Sequence, residues 1–236
     1  MHREPVRSSS ARVGILLLAG LVSAQSLGAV GATRGSFGVS PIGTANYQIP
    51  LTLPPGTNGL TPGLAISYSH HGGDGLLGMG FGIAGLSAIT RCNKTIAQDG
   101  TASAPDLQTS DGYCLDGNRL KLDSGTYGAA NSVYRTEIEV FSKVTAKSSA
   151  GNGPQWWEVK TKNGLIYEYG NTTDSRIETS GSTTVRLWAV NKVSDRSGNY
   201  IAFSYHDDTS NGSHRIKDVQ YTGNSAVTPV TKVDFV

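Results

Sequence analysis

Hydrophobic and polar residues alternate with a period of two along most of the chain. In residues 155–170 (QWWEVKTKNGLIYEYG), Trp157, Val159 and Thr161 alternate with Trp156, Glu158, Lys160 and Lys162. That period places successive side chains on opposite faces of a strand. Asn163-Gly164 follows, a pair that tolerates positive φ at both positions and signals a hairpin, with residues 165–169 as the return strand. The same grammar recurs at 185–193, a turn over 195–199, and 200–205. It recurs again at 215–221, a turn over 222–224, and 227–236. β-branched and aromatic residues fill these segments, as pleated surfaces prefer. Residues 129–150 contain no Gly or Pro; Tyr134, Ile138 and Phe141 fit helical spacing while Ile138, Val140 and Val144 fit strand alternation, and the Val and Thr content favours one long strand over a helix. Residues 25–40 and 97–112 read as loops, being rich in Gly, Ser, Ala and Asp. The expected class is all-β: antiparallel hairpins and a meander forming a large curved sheet or shell fragment, with few or no helices.

The first two dozen residues follow a different pattern. Arg3, Arg7 and Arg12 precede an apolar run of ten, VGILLLAGLV, at residues 13–22. Such a run is too short to span a bilayer, which takes about 20 residues. With Val22-Ser23-Ala24 behind it, the segment reads as a secretory signal peptide cleaved between Ala24 and Gln25. The expected organisation is a leader at 1–24 and one β-rich domain at 25–236, with general secretory export to the outside of the cell. The leader carries three Arg and one Glu, a net of +2, which is the net charge of the whole 236-residue chain. The remainder is therefore near neutral, with no basic stripe for nucleic acid and no second apolar segment to anchor it in a membrane. Thr231 to Val236 alternates like a strand and stops without a turn or cap, as the front of a longer protein would.

Two cysteines, Cys92 and Cys114, are the only ones. An even count in an exported chain favours a disulfide, with two free buried thiols as the rival reading. A bridge closing about 23 residues would stabilise by about 3 kcal/mol on the chain-entropy model. No metal-ligand spacing surrounds them.

The stretch 35–100 carries a distinctive set of positions. They include Gly43, Ala45, Tyr47, Ile49-Pro50, Pro54-Pro55-Gly56, Gly59-Leu60, Pro62 and Tyr68. Gly75-Leu76-Leu77-Gly78, Gly80, Gly85-Leu86-Ser87, Ile89 and Arg91-Cys92 continue it. Further on come Tyr113-Cys114-Leu115-Asp116-Gly117, Tyr134-Arg135-Thr136-Glu137, Asn163-Gly164-Leu165 and 195–200. This pattern resembles the SpvB-type N-terminal domain found at the head of toxin-complex B subunits and of many RHS-repeat proteins. It departs from that pattern at Phe81, where Trp is usual, and at His70-His71 and Asp74. The resemblance implies a β-strand scaffold. In complete relatives such a region helps build a shell that holds and delivers a toxic segment, and its partners would be other toxin-complex or RHS-type segments or subunits.

Candidate chemistry is sparse. Gly72-Gly73-Asp74-Gly75 and Gly78-Met79-Gly80 permit tight backbone, but no helix pattern follows and no Lys precedes Lys94, so a phosphate loop is not expected. Glu137-Ile138-Glu139 has the one-residue spacing of ADP-ribosyltransferase glutamates, yet the run similar to the Ser-Thr-Ser strand such enzymes need upstream, Ser182-Thr183-Thr184, lies downstream of it, in the wrong order. His70-His71 are adjacent and would face opposite ways in a strand. His206, Asp207, Asp208 and Ser210 have no nucleophile elbow around them. Asp207, Thr209, Asn211 and Gly212 weakly echo a calcium loop but lack its terminal Glu. We therefore expect no catalytic, cofactor or metal residues. The leading function is a non-enzymatic exported β scaffold. The alternatives are a secreted surface- or glycan-binding module using Trp156, Trp157 and Trp188, and the front of a toxin whose enzyme lies beyond the chain.

Overall fold

The structure is a computed structural model that describes residues Arg34–Val236. The expected leader and its Ala24–Gln25 junction lie outside the described residues.

Among the described residues, eighteen strands follow in order. The first six are β1 (Ser36–Val39), β2 (Ala45–Pro50), β3 (Ala65–Ser69), β4 (Asp74–Gly75), β5 (Gly78–Met79) and β6 (Phe81–Ala84). Then come β7 (Ala88–Cys92), β8 (Gly112–Leu115), β9 (Asn118–Ser124), β10 (Val133–Thr136), β11 (Lys143–Ser149) and β12 (Pro154–Lys160). The last six are β13 (Ile166–Tyr169), β14 (Arg176–Glu178), β15 (Val185–Ser194), β16 (Asn199–Asp208), β17 (Ser213–Asn224) and β18 (Thr231–Asp234). A one-turn helix, α1 (Ile96–Asp99), is capped by the Thr95 side chain and closed by Gly100 at φ 72°. Every strand pair is antiparallel, as the hairpin grammar predicts.

β7 to β13 pair in sequence order, leaving β14 aside, and β15 then pairs with both β13 and β7. The eight strands β7–β13 and β15 therefore close into a barrel-like ring. β15 is long enough to serve two neighbourhoods. Residues 187–189 pair with β7, while residues 192–194 pair with β16, from which β17 and β18 continue the sheet outward.

Large aromatic rings fill the interior. Trp157, Trp188, Tyr113 and Tyr134 are fully buried. Tyr113 meets Trp157 edge-on at 5.1 Å, and Trp157 meets Trp188 at 5.7 Å and 88°. Such edge-to-face contacts contribute beyond the area they bury.

A separate four-stranded sheet runs β1-β2-β3-β6. It is joined to the rest at one end, where Leu51, Leu53, Leu60, Ile83 and Leu86 pack against the core. There the Tyr221 hydroxyl donates to the Pro54 carbonyl at 3.0 Å, and the Asn58 amide donates to Asp195 at 3.2 Å.

Several local expectations are corrected. Residues 129–150 form two strands, β10 and β11, that pair with each other through Val133↔Thr145 and Tyr134↔Val144. The reversal needs no glycine because Phe141 itself adopts φ 58° and the Asn118 side chain bonds both the N–H and C=O of Ile138. Residues 36–39, expected as loop, form β1. β17 runs through 222–224, and the chain reverses only beyond Asn224, which bridges Val227. In the Asn163-Gly164 turn only Gly164 takes positive φ, at 86°. Thr161 and Leu165 close it, with a further bond from Gly164 N–H to Thr161 C=O. Asp195–Asn199 repeats this arrangement with Gly198 at φ 83°.

Candidate functional site

The most highly organised polar site surrounds Arg91. Its place follows from the alternation in β7. Ile89 and Arg91 share the inward face, so a guanidinium enters the ring beside Trp188 and Tyr113. Its side chain is only 2% exposed and that of Asp111 1%. Arg91 Nη1 donates to Asp111 Oδ2 at 3.0 Å and to Gln108 O at 2.6 Å. Nε reaches Val185 O at 2.8 Å, and Nη2 reaches Asn152 O at 2.7 Å. One cation thus ties together β7, the segment before β8, the β11–β12 turn and the start of β15. A buried charge needs this saturation to persist. The network closes one end of the ring, and each of the three guanidinium nitrogens donates to an acceptor of the protein itself. The residue pattern already contained this signal: a charge at the period-two position of Ile89.

Cys92 and Cys114 are bonded to each other across β7 and β8. Beside them lies a surface cluster. Arg119 Nη2 meets Asp99 at 2.6 Å, and Lys121 meets Glu137 at 2.8 Å. Glu137 also accepts from the Gln98 amide. The Lys121 hydrogen bond holds the Glu137 carboxyl below the usual range, so it is poised as an anion rather than as an acid. Glu137 and Glu139 lie past the end of β10, not on a strand. Glu139 accepts from the Phe141 N–H within the turn. Ser182 and Thr184 belong to the loop before β15. Thr184 Oγ1 accepts from Asn152 N–H at 3.1 Å, which supports the carbonyl that Arg91 uses.

The remaining candidates are turn residues. His71 Nδ1 hydrogen-bonds the Thr44 hydroxyl at 2.9 Å. Asp208 Oδ1 accepts from both the backbone and the hydroxyl of Ser210, and Oδ2 from the Asn211 amide. These bonds, the hydroxyl's foremost, lower the Asp208 pKa. The Asp207–Gly212 stretch therefore forms a hairpin tip, and no group of three or more His, Cys, Asp or Glu able to hold a metal occurs among the described residues. A groove of about 920 Å³ separates this tip from residues 177–183. Hydroxyls, glycines and two carboxylates, Glu178 and Asp207, dominate its walls, and no aromatic, His or Cys side chain lines it. Trp157 and Trp188 lie in the core, and Trp156 is half-buried beneath Lys147, so the three tryptophans form no exposed platform.

The family model described as Salmonella virulence plasmid 65kDa B protein matches residues 39–229. The curated Mono(ADP-ribosyl)transferase SpvB of Salmonella typhimurium is 25% identical over 180 residues, 70% of this chain and 30% of that protein. The Salmonella choleraesuis protein of the same name is 26% identical over the same shares. This chain thus spans about a third of the length of those relatives. The solved N-terminal domain of effector protein SpvB from Salmonella typhimurium superposes with a TM-score of 0.60 at 22% identity, covering 78% of this chain and 66% of that one. The TcdB2-TccC3 structure superposes with a TM-score of 0.65 at 18% identity, covering 80% of this chain and 10% of that one. The Photorhabdus luminescens Tc holotoxin pore gives 0.64, also at 18% identity and with the same coverage. The ring and its flanking sheet are therefore a fold shared with toxin-complex proteins, and the chain belongs to the SpvB family.

Proposed function

We propose that this protein is a non-enzymatic, exported β scaffold that builds part of a toxin-complex or RHS-type shell. Its partners are other segments or subunits of that kind, and its mature form begins at Gln25. The observation that supports this reading most is the use to which the ring interior is put. Where a binding barrel would hold a ligand, Trp157, Trp188, Tyr113 and Tyr134 fill the space with one another. The inward cation, Arg91, has its nitrogens committed to Asp111 and three carbonyls. The aligned part of the curated transferases amounts to 30% of their length, and the solved domain that superposes is their N-terminal one. The buried positions of Trp157 and Trp188 weigh against the glycan-binding alternative.

The decisive experiment uses a full-length relative in which Glu137→Gln and Glu139→Gln have been introduced at the matching positions, together with the isolated exported chain. With radiolabelled NAD and cell lysate, the isolated chain should transfer no label, and the doubly substituted relative should keep its toxicity. Loss of toxicity with an unchanged circular dichroism spectrum and thermal midpoint would make the glutamates catalytic and refute the scaffold reading.

A further inference from the structure

The four-stranded sheet is amphipathic, and its apolar face continues to a free edge. Register places Phe37 opposite Tyr47, Tyr47 opposite Tyr68, and Tyr68 opposite Phe81. Directly opposed residues share a face, so one aromatic row crosses all four strands. Ile49, Ile66 and Ile83 form the next row on that face, because they stand two residues away on each strand. The other face carries Ser36, Gln48, Ser67 and Gly82. The isoleucine row leads toward the core, where Ile83 packs. The aromatic row ends in the open: Phe37 is 70% exposed and its neighbour on the same face, Val39, is 61% exposed.

The edges of the two large sheets are treated differently. β18, at the outer edge of the larger sheet, carries Lys232 and Asp234, charges that discourage another strand from pairing there. β6 is flanked by the β4–β5 hairpin: Gly80 N–H bonds Gly73 C=O, and a Cβ on Gly75 would lie 2.0 Å from the Phe81 carbonyl oxygen. β1 has neither protection. Its sequence, Ser-Phe-Gly-Val, contains no charge and no proline, and among the described residues β2 is its only paired neighbour. The four strands of the sheet contain no charged residue; nearby, Asp74 lies in the β4–β5 hairpin and the exposed Arg34 stands two residues before β1. A surface so nearly neutral matches no charged partner, but it meets a copy of itself without repulsion.

We propose that β1 pairs antiparallel with β1 of a second copy about a two-fold axis. The pairing joins two four-stranded sheets into one of eight and continues the aromatic row from one protomer into its partner. It satisfies the free backbone groups of β1 and covers Phe37 and Val39 on both copies. A closed two-fold pair uses the same patch twice and leaves no further edge of that kind. Four residues per protomer make a small interface, below the ~1,200 Å² of standard complexes, so the dimer is weak and concentration-dependent. The pairing stands independently of the shell reading, because it rests on the edge and face of this sheet alone.

Sedimentation velocity of the exported chain from about 1 to about 500 μM tests it, a range that brackets weak association. The expected result is a shift from monomer to dimer that stops at dimer. Phe37→Lys with Val39→Lys should weaken the association tenfold or more without moving the thermal midpoint, since both side chains are exposed. Met79→Lys, on β5 and equally exposed, should leave it unchanged. A chain that stays monomeric throughout, one that assembles beyond a dimer, or one that the Met79 control weakens as much as the β1 pair would overturn the proposal.

Discussion

Replacing Arg91 by Met keeps the bulk of the side chain inside the ring and removes its charge. The substitution leaves Asp111, with a side chain 1% exposed, as a buried carboxylate without its cation, and strips donors from the carbonyls of Gln108, Asn152 and Val185. Breaking a buried pair in this way costs about 3–5 kcal/mol. That is a large share of the ~5–15 kcal/mol by which domains are stable. Asp111→Asn is milder, about 1–3 kcal/mol, because Arg91 keeps its three carbonyl acceptors. The double variant should cost less than the sum of the two, since the second change removes a charge that the first has already stranded. Urea unfolding of the purified, disulfide-intact chain measures all three. An Arg91→Met variant within about 1 kcal/mol of the parent, at an unchanged m-value, would refute the view that this network closes the ring.

Non-reducing peptide mapping of exported protein should yield one Cys92–Cys114 linked pair, and loss of either cysteine should lower stability by about 2–5 kcal/mol. Mass spectrometry of the same material should find Gln25 at the N-terminus; an intact Met1 on protein recovered outside the cytoplasm would exclude the expected cleavage. Burial raises the pKa of Tyr113, Tyr169 and Tyr205 and pushes Tyr127 up to about 12. An unfolded tyrosine titrates near ~10, so the unfolded state loses its proton first. Stability should hold to about pH 10 and then fall as pH climbs toward the folded values, followed by thermal midpoints in a pH series. At the acid end, hydrogen bonds led by that from Asn199 hold the Asp195 carboxyl low, so its contribution is lost as pH falls through that lowered value. Gly80→Val should be strongly destabilising, because Gly80 has φ 78° and a Cβ there would lie 2.7 Å from the Tyr68 ring and 2.8 Å from Ser69 O. A soluble Gly80→Val protein with the parental thermal midpoint would contradict that.

The readable parts of the fold were those with local causes. The hairpins at 155–169 and 185–205 appear in the alternation because Trp157, Val159, Ile201, Phe203 and Tyr205 have to face the core while neighbours such as Glu158 and Ser204 need not. Where a local cause was missing, the reading failed. The reversal between β10 and β11 uses a left-handed Phe and a distant Asn118 clamp instead of Gly or Pro, so no nearby residue announces it. β1 was hidden by its small residues, since Ser36-Phe37-Gly38-Val39 becomes a strand only through pairing with β2. Closure of the ring was equally out of reach. β7 meets β15 about a hundred residues later through Ile89↔Trp188, a pairing set by packing around the aromatic core. Arg91 was visible as a residue but its role was not, because each acceptor comes from a different part of the chain.

The distribution of charge argues for a division of surfaces within this scaffold. Around the ring, Lys147 and Lys160 share Glu158, Arg135 faces Asp123, and Lys192 faces Glu168. Each is a partly exposed pair that contributes little to stability on its own. Together they give the ring exterior a solvated coat of both signs, which resists unspecific association. The four-stranded sheet lacks that coat: none of its strands contains a charged residue, and its aromatic row runs out to an unguarded edge. A chain that protects one sheet with charges and leaves the other bare has separated the surface that meets water from the one that meets protein. Association through the bare face should therefore be insensitive to ionic strength, because it offers no ion pairs for salt to screen. It should strengthen in sulfate, which favours burial of apolar surface.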